Sequence, residues 1–511
     1  MKRVLVATWG NPFQWGEITY RVDCRELNLE DCENIEMRNV STLPVLLKAL
    51  KPDKTIILAL DTLANLTHKN DVPAKELNSY DEVRKDVEER IRWFIENRVR
   101  SYISEDDGNL LNDVDVVVLP GLGEFDNVSV RGNLLDFYSM VLGELAERLP
   151  NGDAEVFLDL THGINFMPVL TYRALTNLLG LLAYLHTARL HVLNSEPYPL
   201  GEGKWKERAI ETLVLNIRSV ESTELRPKPL YSVISDMPEW SAFISSVTNG
   251  FPLAFATFYP RMEKVREYVE LKLRGFLNGI EVSIEPDKTG KNKVHVVRNI
   301  SLDENFRTAA KLYYLLRVLK SEFGQREYPK RKKFTLEELN EITGKLFAKM
   351  PRIGIMVEDQ IKELQDLVKD QHIYDKEGPR RKRGLLSILE GKVDKDLLPL
   401  KQGRAMSLGD VRAAMKLSPR SGEGRNLKPD LRNFIAHSGF EYNLVKVEYD
   451  SSEKKLYWFY QYSDDDCCTM INDHSDFGKE CERVNSMLSN YRGSLKLVVC
   501  FLICALLLKE Y

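Results

Sequence analysis

The chain has 511 residues, 43% apolar and 29% charged, with a formal net charge of −4. That length and apolar share allow large cores and argue against a single compact domain, favouring roughly two to four. So small a net charge creates no global field toward nucleic acid or membrane, so a polyanion site has to be built from local charge.

The opening MKRVLVATWG offers only Val4 to Ala7 as an apolar run, too short for a signal-peptide core, and reads as a first strand. Further short apolar runs at Thr55 to Leu60, Val114 to Leu119, Glu155 to Leu160 and Leu190 to Leu193 read as strands. Helical patterns separate them at Tyr80 to Arg100, Gly132 to Arg148 and Met167 to His186. Strands alternating with helices imply a mostly parallel, Rossmann-like sheet covered on both faces, assigned to residues 1–215. Residues 216–300 turn helical around one hairpin, Ile280 to Ile284 and Val294 to Val297, which suits either a winged-helix-like connector or a plain spacer.

From 301 to 511 the pattern is mainly helical, with basic stretches at 328–334 and 378–384 and a Gly-rich, charged piece at 417–430 that read as exposed loops. Another hairpin is expected over Val445 to Tyr449 and Leu456 to Tyr460. The run Leu497 to Leu508 is shorter than the roughly 18 to 20 residues of a membrane span and reads as a buried helix or a dimer face. Seven cysteines (24, 32, 467, 468, 481, 500 and 504) contain no C-x-x-C pair, so neither a disulfide frame nor a zinc site is expected, which fits the cytoplasm.

Two stretches carry chemistry. In FLDLTHGINFMPVL (157–170) a strand end passes into a helix that must begin near Ile164 to Met167, because Pro168 is tolerated only in a first turn. Thr161 or Asn165 is expected to cap it, and Gly163 lets the backbone approach a ligand. First-turn N–H groups, with Thr161, His162 and Asn165, favour an anion. Strand one ends similarly in Thr8-Trp9-Gly10-Asn11-Pro12 and the third strand in Pro120 to Phe125. Three such loops along one sheet edge would make a nucleotide-sized site, with Trp9 either stacking on a base or covering the edge. No P-loop pattern occurs, which disfavours ATP hydrolysis.

In LRNFIAHSG (431–439), Arg432, Asn433 and His437 form an R-x-x-x-x-H spacing on a short helix. Asn433 and His437 share a face, while Arg432 is turned about 140 degrees away from His437. One copy surrounds a phosphate poorly, so the spacing predicts a composite site between two copies. An imidazole and a fixed cation suit RNA cleavage by its own 2′-hydroxyl, giving a 2′,3′-cyclic phosphate and a 5′-hydroxyl.

The order WGNP, LPGLGEF, DLTHG and a late RNFIAH resembles the CRISPR-associated CARF–HEPN ribonucleases of type III systems. The resemblance implies an α/β N-terminal CARF domain with a mostly parallel sheet, a helical and hairpin connector, and a mainly α-helical HEPN domain. It also implies a homodimer or higher homo-oligomer, with cyclic oligoadenylate, usually cyclic tetra-adenylate, as an allosteric activator. Single-stranded RNA would be the substrate, with no metal, other cofactor or membrane partner. Arg432, Asn433 and His437 fall in catalytic positions, and Trp9, Gly10, Asn11, Thr161, His162 and Gly163 in ligand loops. A nucleotide-sensing regulator that holds DNA through the 280–298 hairpin is the alternative from a different class.

Overall fold

The computed structural model describes residues 1–511 except 28, 30, 67–71, 199–210, 287–291, 325–332, 376–377, 418–428, 462–482, 485, 490, 492–494 and 508–511; at 105, 106, 108 and 372–381 side chains are not described. The chain divides into two compact units. One comprises Met1–Arg226 with Val265–Val318, the other Pro227–Lys264 with Leu319–Tyr511. The 216–300 stretch expected as a connector is thus shared between them.

In the first unit the strands are β1 (Lys2–Thr8), β2 (Ile18–Val22), β3 (Ile35–Asn39), β4 (Lys54–Leu60), β5 (Val114–Leu119), β6 (Gly123–Glu124) and β7 (Val128–Arg131). They continue as β8 (Ala154–Asp159), β9 (Ala188–Ser195), β10 (Val214–Glu224), β11 (Ile280–Pro286) and β12 (Asn292–Arg298). Eight of them form one sheet in the order β3-β2-β10-β9-β8-β1-β4-β5. β1 pairs in parallel with β4 and β8, β4 with β5, and β8 with β9, while β10 runs antiparallel to β9. Residues 4–7 of β1, 56–60 of β4 and 156–158 of β8 are buried and apolar because both faces are covered. Helices α1 (Leu43–Leu50), α2 (Tyr80–Phe94), α3 (Leu135–Arg148) and α4 (Met167–Leu182) belong to the same unit. α4 buries Met167, Thr171, Ala174, Leu175, Leu178 and Leu182, the three-to-four spacing of a helix with one apolar face.

The hairpin of β11 and β12 does not stand free. β12 pairs in parallel with β7 in a second, four-stranded sheet. Arg298 at its end is fully buried, 3.2 Å from Asp61 and 3.4 Å from Asp136, and donates to the Gly121 carbonyl at 2.6 Å. Gly121 in turn donates its N–H to Asp61 at 2.7 Å. The Pro120 to Phe125 loop is therefore built into this buried ion cluster and strand β6.

In the second unit, helices Pro238–Asn249, Pro252–Phe258, Leu336–Leu346, Pro351–Val368 and Lys496–Leu507 accompany a three-stranded sheet of Met406–Ser407, Val445–Asp450 and Lys455–Tyr460. Leu497 to Leu506 are buried, so the apolar run is core within the chain. Thr335 and Glu338 close a reciprocal capping box at the start of Leu336–Leu346.

Two expectations are corrected. Cys24 and Cys32 form a disulfide and Cys500 is also disulfide-bonded, while Cys504 is buried. The spacing test failed because pairing follows proximity in space rather than a C-x-x-C signature. Of the basic stretches, Gly378–Lys382 is a strand paired with Gln371–Asp375, since backbone pairing does not require apolar side chains. Residues 328–332 and 418–428 lie outside the described residues.

Candidate ligand cavity and candidate nuclease site

Chain connectivity reverses beside β1, with β4 and β5 on one side and β8 and β9 on the other, a place where open α/β sheets leave a crevice beyond the strands' carboxyl ends. A cavity of about 470 Å³ lies there, lined by residues that include Trp15, Tyr20, Thr161, His162, Gly163 and Tyr198. Its volume and aromatic walls suit a flat, polar-edged ligand such as a nucleobase.

Hydrogen bonds anchored on buried Asp159 at the end of β8 hold the His162 loop. Asp159 accepts from the Thr42 hydroxyl at 2.6 Å and the Thr161 N–H at 2.9 Å, while burial pushes its carboxyl up. The Thr161 hydroxyl accepts the Ser195 N–H at 3.0 Å, joining the loops after β8 and β9. His162 Nε2 accepts the Thr42 N–H at 3.2 Å, so the ring is neutral with its proton on Nδ1. Burial pushes the imidazole down to about 3. Its face stacks on Trp15 with centroids 3.9 Å apart.

Of the seven expected ligand residues, Thr161, His162 and Gly163 line the cavity. Gly10 is buried and donates its N–H to the His162 carbonyl at 2.8 Å, and a Cβ on it would meet Ile164 at 2.6 Å. Its part is close backbone approach. Asn11 accepts the Phe13 N–H at 3.1 Å at the start of a single 3-10 turn.

Trp9 is corrected: it is fully buried and packs edge-on against Trp15 at 5.1 Å and Phe94 at 6.1 Å, so it covers the sheet and cannot face a ligand. Asn165 is exposed with φ 49°, and neither it nor Thr161 caps α4, which begins after Phe166 with no side-chain cap. Nor does the Pro120 to Phe125 loop line the cavity. Trp15, Tyr20 and Tyr198 escaped the sequence reading, which followed loop glycines; Trp15 directly before Gly16 was the available signal.

In the second unit Arg432, Asn433 and His437 belong to one short helix, Leu431–Ala436, and its end. Asp430 caps its start by accepting the Asn433 N–H at 2.8 Å. Phe434 is fully buried, with Phe251 at 5.2 Å and Phe501 at 5.7 Å between ring centroids, so an apolar pin fixes the helix. At its end the Gly439 N–H reaches the Phe434 carbonyl at 2.8 Å and Ser438 reaches Ile435 at 3.2 Å, with Ser438 at φ 49°. That Schellman pattern sets His437 at the C-cap, one turn from Asn433, whose carbonyl accepts its N–H at 3.0 Å.

His437 is half-buried, and its Nδ1 lies 3.0 Å from Gln360 Oε1 on the helix Pro351–Val368. Amide oxygen accepts only, so Nδ1 carries the proton and Nε2 keeps a lone pair. The ring stacks on Tyr442 at 5.3 Å, which lies under the Arg412 guanidinium at 4.8 Å; Arg412 is held by Glu363 at 2.7 Å. Arg432 and Asn433 are exposed, and among the described residues their side chains make no hydrogen bond or ion pair. The helix thus presents a positioned base, an amide and an unpaired cation. Gln360 was not legible, because 77 residues separate it from His437.

Buried Glu441, which accepts the Asn443 and Leu444 N–H groups at 2.7 and 2.8 Å, is pushed up to about 7 by burial.

No described helix is long and apolar enough to cross a membrane. Comparison with known proteins gives the relationship. The family described as CRISPR system endoribonuclease Csx1, CARF domain, matches residues 4–197, and that described as CRISPR system endoribonuclease Csx1, HEPN domain, matches 351–462. The CRISPR system endoribonuclease Csx1 of Methanocaldococcus jannaschii is 28% identical over 494 residues, covering 89% of this chain and 88% of its own. Both domains occur in the expected order on a parallel-sheet unit and a helical unit, and the chain belongs to the CRISPR-associated CARF–HEPN ribonucleases.

Proposed function

We propose that this chain is an endoribonuclease that cleaves single-stranded RNA without a metal ion when a cyclic oligoadenylate, by expectation cyclic tetra-adenylate, occupies the cavity of the first unit. The observation that carries the reading is the His437 ring, tied at Nδ1 by Gln360 with Nε2 left to accept a proton. Nε2 takes the 2′-hydroxyl proton, the 2′-oxygen attacks phosphorus, and the P–O5′ bond breaks as the leaving 5′-oxygen takes a proton from water, giving a 2′,3′-cyclic phosphate and a 5′-hydroxyl. Arg432 offsets charge on the phosphorane oxygens, and Asn433 holds the phosphate.

On a one-turn helix Arg432 and His437 diverge, so we assign the complete site to two chains, His437 of one acting with Arg432 of the other. Two-fold pairing would also join two cavities, matching the symmetry of a four-membered ring. Ligand would shift the pair toward the productive arrangement in proportion to its preference for that state.

The test uses purified protein and labelled single-stranded RNA with EDTA throughout, with and without cyclic tetra-adenylate. Cleavage that requires the ligand, persists in EDTA and leaves cyclic phosphate ends is expected. His437→Ala should lower the rate by at least about 10²-fold while leaving ligand binding intact. His162→Ala should weaken binding. A His437→Ala protein that cuts at the wild-type rate overturns the assignment.

A further inference from the structure

A second group of reactive side chains lies at the amino end of the first unit's sheet, away from the His162 loop. Strand register brings it together. Arg3 on β1 is opposite Glu155 on β8, and Phe157 on β8 is opposite His191 on β9. On β10 the register slips between Ser219 and Glu221, so that Ser222 faces His191. Without the slip Glu221 would take that place. The bulge thus sets a hydroxyl beside an imidazole.

Four strands then carry one hydrogen-bonded row. Ser222 Oγ is 2.9 Å from His191 Nδ1, His191 Nε2 is 3.2 Å from Glu155 Oε1, and Arg3 Nε donates to Glu155 Oε2 at 2.9 Å. The His191 ring lies on Phe157, with centroids 4.9 Å apart. His191 and Glu155 are each 5% exposed, while Ser222 is open to solvent. A cavity of about 540 Å³ adjoins them, lined also by Arg3, Asp31 and Arg189.

The protons have one consistent placement. The hydrogen bond from His191, with Arg3 beside it, holds the Glu155 carboxyl below its ordinary range. A carboxylate only accepts, so Nε2 carries the imidazole proton and the Nδ1 lone pair faces the Ser222 hydroxyl. Nucleophile, base and orienting carboxylate stand in the order that activates a serine, with Arg3 fixing the carboxylate.

We propose that Ser222 is an activated nucleophile that takes acyl groups from small, polar carboxylic esters entering this cavity. Ser222 Oγ forms a bond to the acyl carbon as its proton passes to His191 Nδ1. The ester C–O bond breaks, and the leaving alcohol oxygen receives that proton. Water, deprotonated by the same nitrogen, then releases the acid and restores the hydroxyl.

The full chain is treated with a biotinylated fluorophosphonate and digested for mass spectrometry, and with p-nitrophenyl acetate. An adduct on Ser222 is expected, lost in Ser222→Ala and formed at least tenfold more slowly in His191→Gln, with RNA cleavage unchanged in Ser222→Ala. Because His191 is buried, Ser222→Cys provides a second reading that leaves the core untouched. Its thiol should react with iodoacetamide at pH 6 at least tenfold faster than glutathione does. Absence of a Ser222 adduct, equal labelling in a folded His191→Gln protein, or a Ser222→Cys thiol no faster than glutathione would each overturn the proposal.

Discussion

His437 has two ring nitrogens, and Gln360 engages one of them. Replacing Gln360 by Leu removes the acceptor that selects the Nδ1–H tautomer. We expect kcat to fall about ten- to a hundredfold with KM nearly unchanged, since orientation matters to the reacting state more than to RNA binding. Gln360→Glu places a carboxylate on the same nitrogen and favours the imidazolium, so the acidic limb of the pH–rate profile should move to higher pH. A packing role would leave that limb in place.

His162 makes the opposite case. Its folded imidazole is pushed down to about 3, so between that pH and about 6.5 the unfolded chain binds a proton that the folded chain does not. Stability from this group is complete above pH 6.5 and is lost as pH falls, by about 2 kcal/mol on going from pH 7 to 5. Melts of wild type and His162→Gln at the two pH values check it: the variant should lose less on acidification.

At the scale of elements, the β11 and β12 hairpin is held by a buried charge cluster as well as by the buried Val294 and Val296 of β12. Arg298 stands between two buried carboxylates, which burial pushes up against its pull. Arg298→Met would leave them without a cation, and we expect the first unit to lose about 3–5 kcal/mol in denaturant unfolding. Adding Asp61→Asn and Asp136→Asn should recover part of the loss.

Elements also show what could be read in advance. β1, β4, β5, β8 and β9 were legible because strands covered on both faces carry a short, mainly apolar and β-branched run. β10 was not, since VLNIRSVESTE is largely polar, with alternate residues exposed, and carries the bulge at Val220. DLTHG and RNFIAH were legible as loop and helix end. Their partners Trp15 and Gln360 were not, because each meets its histidine only through the fold.

At the scale of the molecule, both units contain a disulfide-bonded cysteine, Cys24 with Cys32 in one and Cys500 in the other. Cross-linking residues eight apart removes unfolded-state freedom worth about 2–3 kcal/mol. Cys24→Ser should lower the first unit's melting point without a reductant, whereas a reductant should lower both. An unchanged Cys24→Ser melt would show that native packing alone holds that loop.

Each unit is assembled from two separate stretches of chain, with the path passing between them after Arg226, Lys264 and Val318. A single proteolytic nick would therefore leave both halves of the protein tethered, and no simple truncation yields either unit whole. Isolating the first unit calls for joining 1–226 directly to 265–318 with a short linker, a grafting problem rather than a trimming one.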